Sequence, residues 1–210
     1  MTTEWRDVSM PLRAGMTVWP GDPPFEMLPD SRIAAGATCN TSLLRLATHT
    51  GTHVDAPWHF EKTGKKLHEV DPAVYFGKAL LIDLPDVPLI RAGDLPSERL
   101  PSRVLFQTGN SNIPIDAPFT KDYAALDDGA AARLVADGVR LVGVDYLSVA
   151  PFKQPGQPTH HLLLRNDVLV VEGLRLGGLA PGLYEFVVLP LPVFDGDGAP
   201  CRAFVRKSRR

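Results

Sequence analysis

From Asp122 to Glu172 the chain reads helix, strand, helix, strand, and no other feature restricts its fold as tightly. Leu126, Ala130, Leu134 and Val135 lie close to one face of an expected helix over 122–137, with Asp127 and Asp128 near its start and Gly138 to end it. Leu141 to Asp145 follows at once as an apolar strand. After a loop carrying Pro151, Pro155 and Pro158, His160 to Asn166 suits a short helix and Val168 to Glu172 a second strand. Strands separated by single helices form crossover units and lie parallel in one sheet. The expected class is α/β with a partly parallel sheet, and 210 residues without repeat or linker make a single domain over 1–210.

Twenty prolines and eighteen glycines punctuate the remainder into short strands and turns. Residues 79–84 and 104–108 are nearly continuous apolar runs, the pattern of strands buried on both faces. Met16–Trp19, Thr41–Thr48, Tyr184–Val193 and Arg202–Val205 read as further strands, with a helical turn between Ile90 and Glu98 and an exposed loop over 61–68.

Charge narrows the function classes. A net charge of −2 gives no general electrostatic case for nucleic acid or an anionic membrane, and the basic run Arg206–Arg210 reads as a solvated tail. No apolar stretch approaches the ~20 residues of a membrane span. Met1–Asp7 lacks the basic-then-apolar pattern of a signal peptide, so a cytoplasmic protein is expected, with Cys39 and Cys201 as a buried pair of free thiols.

The chemistry gathers in one stretch. His49, His53, Asp55 and His59 place three of the six histidines and an aspartate within eleven residues. Imidazoles and a carboxylate at short spacing are the vocabulary of a transition-metal site. The i, i+4 spacing of His49 and His53 would suit a helix, but Thr48, Thr50, Thr52, Val54, Gly51 and Pro57 oppose one. In an extended chain all four polar residues share a face, since all carry odd numbers, and Gly51 and Pro57 are expected to bend it. His160 and Glu172 are candidates to complete the site, Glu172 because it ends an apolar strand where an unpaired carboxylate is costly to bury. Asp145 is a weaker candidate, His161 suits an exposed helix face, and His68 lies in a lysine-rich loop. Trp19, at the mouth of the Pro20–Pro24 loop, suits core packing or an aromatic pocket wall.

The run His49-Thr50-Gly51-Thr52-His53-Val54-Asp55-Ala56-Pro57-Trp58-His59-Phe60 resembles the HxGTHxDxPxH signature of the cyclase family, which includes the bacterial kynurenine formamidases and the isatin hydrolases. Trp19-Pro20-Gly21-Asp22 resembles the family's N-terminal loop, Leu141–Asp145 its central strand, and His160 with Glu172-Gly173-Leu174 its second conserved segment. The resemblance implies a swivelling β/β/α domain with a mixed sheet of short strands and two to four helices, commonly a homodimer. It implies a hydrolase with two divalent metal ions, zinc in the formamidases and manganese in some relatives. His49, His53 and Asp55 would be ligands, Asp55 a bridge, His160 and Glu172 the rest of the second site, His59 the general acid/base, and Trp19 a pocket wall. Residues 108–112 and 148–157 depart from the pattern of formylkynurenine-specific members.

The first expectation is therefore an arylformamidase that converts N-formyl-L-kynurenine to L-kynurenine and formate in tryptophan degradation. A cyclic-amide hydrolase of the isatin type and a metal-binding domain without catalysis are the alternatives. The partner in each catalytic case is a small-molecule substrate.

Overall fold

A computed structural model of the chain describes residues 4–208. Met1–Thr3 and the last two residues of the basic run, Arg209 and Arg210, lie outside the described residues. The strands are β1 (Arg6–Asp7), β2 (Glu26–Ser31), β3 (Thr41–Arg45), β4 (His53–Asp55), β5 (Phe76–Leu84), β6 (Leu89–Ile90), β7 (Arg103–Thr108), β8 (Ala125–Leu126), β9 (Leu141–Val144), β10 (Leu169–Glu172), β11 (Gly182–Pro190) and β12 (Gly198–Lys207). The helices are α1 (Asp128–Asp137) and α2 (Pro158–Leu164).

Strands β5, β7, β9 and β10 lie side by side and parallel, as the crossover pattern predicts. Beyond them the ladder turns antiparallel: β10 pairs β4, β4 pairs β12, β12 pairs β11, and β11 returns to β5. Seven strands thus close on themselves like a barrel, and β1 adds to the outer side of β12. Closure leaves few edges and brings β4, which carries part of the histidine stretch, directly beside the carboxyl-terminal end of β10.

The period-2 alternation of strands divides the core into two layers. Leu105, Leu141, Leu169 and Val171 point into the barrel with Val54, Leu81, Phe186 and Val188. Val104, Phe106, Val142, Val144 and Val170 point outward beneath the helices, against Leu134, Leu163 and Leu164. Both faces are covered, so every residue of β7 and β9 is buried, which explains why these strands read as continuous apolar runs. Gly143 faces the barrel interior, where a Cβ would stand 2.6 Å from Leu105 and 2.7 Å from Leu174, so glycine is what fits there.

Several boundaries differ from those the sequence predicts. Helix α1 begins at Asp128 rather than Asp122, because Asp127 is its N-cap: the carboxylate accepts from Ala130 N at 2.7 Å, a contact worth about 1 kcal/mol. The residues before it, Ala125–Leu126, pair instead with β6. Met16–Trp19 forms no strand; Thr17 N makes a single ladder-like bond, to Ile115 O. The strand expected over Thr41–Thr48 ends at Arg45 and pairs with β2 in a separate hairpin. Within the expected loop over 61–68, Leu67 is buried and opens a short 3-10 turn. Cys39 and Cys201 are both free, as expected, but they are not a buried pair: Cys39 is exposed and Cys201 only half-buried.

Candidate metal centre

The histidine stretch is not one extended strand. Only His53–Asp55 lies in a strand, whereas His49 sits in a turn before it and His59 ends a short 3-10 turn, Pro57–His59, after it. The expected shared face therefore holds for His53 and Asp55, and two bends bring the other two histidines round to the same side. Gly51 makes the first bend at φ +69°. Proline at the start of the 3-10 turn makes the second, since its fixed φ suits a helical first position.

His160 and Glu172 arrive from the opposite wall. Glu172 is the last residue of β10 and pairs in register with His53 of β4. His160 sits in the first turn of α2, whose Pro158 occupies a position where the missing N–H costs nothing. Thr52 joins the two walls: its hydroxyl donates to Gly173 O at 2.6 Å and accepts from Met10 N at 2.6 Å. Gly173, at φ +69°, must be glycine, because a Cβ would stand 2.4 Å from Gly51 O.

The result is a buried cluster of imidazoles and carboxylates. His53 Nδ1 donates to Gly51 O at 2.9 Å, which turns Nε2 towards Asp55 Oδ1 and Glu172 Oε2, each 3.4 Å away. His160 Nε2 lies 3.4 Å from Glu172 Oε1, and that oxygen also accepts from Val149 N at 2.8 Å. His49 Nδ1 lies 2.8 Å from Asp55 Oδ1. His59 stacks on His49, and Phe60 stacks on His160 with ring centroids 4.3 Å apart.

Electrostatics follow from this packing. Burial pulls the His53 pKa down, but hydrogen bonding to Asp55 and Glu172 overrides it and raises it to about 10. Burial opposes ionisation of Asp55, yet the surrounding histidines hold its carboxyl well below the usual range. His59 goes the other way: burial lowers its pKa against the pull of Asp55, so it is neutral at pH 7.

The donor set fits divalent cations. One donor atom each from His49, His53 and Asp55 falls within 4.8 Å, and the same holds for Asp55, His160 and Glu172 and for His49, His59 and Asp197, so Asp55 belongs to the two groups that hold the buried carboxylates. Asp55 and Glu172 are buried, and among the described residues no lysine or arginine lines the cleft to balance them. Among the described residues, the buried Nδ1 of His160 has no hydrogen-bond partner. Neutral imidazoles with carboxylates are ligands that zinc and manganese both accept.

The cluster forms the base of a cleft of about 300 Å³. Its walls include Trp19, Asp22, Phe60, Leu147, Ser148 and Gln157. Trp19 packs edge-on against Phe119 at 5.2 Å and lies 5.5 Å from Phe152, so it is both a packed aromatic and a wall. Three weaker candidates stand elsewhere. Asp145 accepts from Thr108 N, Thr108 Oγ1 and Ser111 Oγ, and is outside the cleft. His161 lies 2.8 Å from Glu61, and His68 stacks on Phe194. One residue escaped the sequence reading. Asp197 Oδ2 lies 3.1 Å from His49 Nε2 and 3.8 Å from His59 Nδ1. Its only local signal is the run Asp195-Gly196-Asp197-Gly198 before a strand.

The chain is similar to known proteins over nearly its whole length. The cyclase family model matches residues 6–151. The kynurenine formamidase of Geobacillus thermodenitrificans is 38% identical over 209 residues, covering 99% of both chains. A solved structure described as a potential metal-dependent hydrolase with cyclase activity superposes with a TM-score of 0.85 at 30% identity, covering 99% of both chains. Isatin hydrolase A from Ralstonia solanacearum superposes with a TM-score of 0.83 over 98% of this chain and 92% of its own, and at 21% identity that likeness concerns the fold.

Proposed function

The chain belongs to the cyclase family, and from that premise we propose that it is a divalent-metal-dependent amidohydrolase that cleaves N-formyl-L-kynurenine to L-kynurenine and formate. The observation that carries this reading is the position of His53 Nε2, 3.4 Å from Asp55 and 3.4 Å from Glu172 at the base of the cleft. The formamide substrate is supported by the kynurenine formamidases that the chain resembles over nearly its whole length.

In this reading His49, His53 and Asp55 hold one divalent ion, and His160 and Glu172 complete a second site that shares Asp55. Bound there, divalent ions supply Lewis acidity, which polarises a carbonyl and acidifies water. The chain's own groups do the rest. His59, kept neutral by burial, accepts a proton as water adds to the formyl carbon. It returns that proton to the aniline nitrogen as the C–N bond breaks, so that the amine leaves neutral and the water oxygen stays in formate. Phe60, stacked on His160, fixes that imidazole and shields it from solvent. Trp19 and Leu147 offer apolar walls for the aromatic ring of the substrate.

The finer parts of the proposal are zinc as the resident ion with manganese as the alternative, one domain over the chain, a cytoplasmic location and a homodimer. The homodimer is supported by the β2–β3 hairpin, which among the described residues pairs with no other strand and leaves Met27 and Leu43 each 59% exposed.

A cyclic-amide substrate of the isatin type is the second reading. Ser148 and Gln157, which line the cleft, stand in the segment that departs from the formylkynurenine pattern. Turnover of N-formyl-L-kynurenine and of isatin by the metal-loaded protein separates the two. Faster hydrolysis of the formamide is expected; faster opening of isatin reverses the assignment. Tight metal binding with hydrolysis of neither leaves a non-catalytic metal-binding domain.

A further inference from the structure

The imidazole of His49 has a carboxylate at each end: Nδ1 lies 2.8 Å from Asp55 Oδ1, and Nε2 lies 3.1 Å from Asp197 Oδ2. A ligand imidazole offers one bare nitrogen to a cation and keeps its proton on the other. His49 belongs to two candidate cation groups, one with His53 and Asp55 and one with His59 and Asp197. The first holds two buried residues and shares Asp55 with the His160–Glu172 group, so Nδ1, the nitrogen beside Asp55, is taken as the one on the cation side. The proton then resides on Nε2, and the group that faces it is Asp197.

The chain builds this contact deliberately. Asp197 lies 148 residues from His49 in sequence, at the end of a loop that precedes β12. Its backbone O accepts from Ala56 N at 2.9 Å, which locks the loop onto the end of β4. Its neighbour Gly198 pairs in register with Asp55. A Cβ at Gly198 would stand 2.5 Å from Val54 O and 2.9 Å from His49 Cε1, so only glycine lets the loop come this close. Thr48 Oγ1 donates to the same carboxylate oxygen at 3.4 Å, which further fixes its direction.

We propose that Asp197 is a positioning residue of the metal site: its carboxylate accepts the Nε2 proton of His49, fixes the ring's tautomer and rotation, and presents Nδ1 to the ion held with His53 and Asp55. The inference rests on the divalent-cation reading given above. Carboxylates that accept the far N–H of a ligand histidine orient the ring and strengthen it as a donor, and their removal typically costs about 10- to 100-fold in metal affinity. The oxygen that faces His49 also stands 3.8 Å from His59 Nδ1, so one carboxylate serves both stacked rings.

The test uses the full chain with Zn²⁺ and Mn²⁺ alone as probes, titrated against a chromophoric chelator. Asp197→Ala is expected to bind either ion about 10- to 100-fold more weakly than the parent, with the same number of ions per chain. Asp197→Asn keeps an oxygen that can accept and is expected to recover part of that loss; it also carries the test if the alanine variant fails to fold. Nitrogen chemical shifts of labelled His49 in the zinc-loaded parent should report a proton on Nε2, and that signature should weaken in Asp197→Ala. Affinities within twofold of the parent in both variants would overturn the proposal. So would loss of one whole ion per chain with the other unchanged, which would make Asp197 a ligand. A parent that binds no divalent ion would overturn the reading of the site itself, a result distinct from either.

Discussion

His59 stacks on His49 with ring centroids 3.9 Å apart and 28° between the planes. The contact places an imidazole beside the candidate metal cluster, and among the described residues no hydrogen bond ties up its nitrogens; its closest ionic partner there is Asp197, at 3.8 Å. Burial keeps it neutral at pH 7, the state in which it can accept a proton. His59→Ala is therefore expected to lower kcat by about 10²- to 10⁴-fold with bound metal unchanged. Steady-state kinetics and elemental analysis of the same preparation check this. Near-parental kcat at full metal content would remove His59 from proton transfer.

The second prediction concerns pH. In the metal-free chain the His53 pKa stands at about 10, above the ordinary value of 6.5, so the protonated ring favours the fold. That contribution is fully present below pH 6.5 and is lost as pH rises towards 10. A metal ion needs the deprotonated ring, so its apparent affinity should rise over the same window, and binding at pH 7 should release protons. Calorimetric titration in buffers of different ionisation enthalpy measures that release. No dependence on the buffer would contradict the assignment of His53 as a ligand.

Backbone geometry supplies a third prediction. Gly173→Ala places a Cβ 2.4 Å from Gly51 O at φ +69°, and both strain and overpacking follow. The two together are expected to cost about 2–4 kcal/mol, read as a fall in the denaturant midpoint. Because Gly173 follows Glu172, metal affinity should fall with stability. An alanine variant as stable as the parent would show that the turn can relax.

Much of this architecture is legible in the sequence where burial is continuous. Strands β7, β9 and β10 are legible because both of their faces are covered, which makes their runs nearly all apolar; β5 is legible from Ala79 on, but its first residues, Phe76 to Lys78, are less buried and fall outside the run. The start of α1 is not, because Asp122 and Asp127 are both plausible caps and only the pairing of β8 with β6 selects the second. The β2–β3 hairpin was legible only in its second strand: Pro29 and Asp30 argue against the first, which tolerates them at an edge. Within the site, His49, His53, Asp55 and His59 announce themselves by spacing, and His160 and Glu172 by the oddity of a carboxylate ending an apolar strand. Asp197 does not. Its partner is 148 residues away, and only the pairing of β12 with β4 reveals the contact.

Trp19 provides a fourth prediction. It lines the cleft and packs against Phe119 and Phe152, so its removal takes away a wall without touching the charged cluster. Trp19→Ala is expected to raise KM on the order of tenfold while changing kcat much less, the pattern of lost uniform binding. A fall in kcat at unchanged KM would instead place Trp19 in transition-state stabilisation.

The central claim is that the cluster of His49, His53, Asp55, His160 and Glu172 works by holding divalent metal. The most direct measurement is the rate of N-formyl-L-kynurenine hydrolysis by one preparation, with its metal content determined, before chelation, after chelation and after zinc or manganese is restored. Activity is expected to disappear with the metal and to return with it. Full activity in protein shown to be metal-free would contradict that claim.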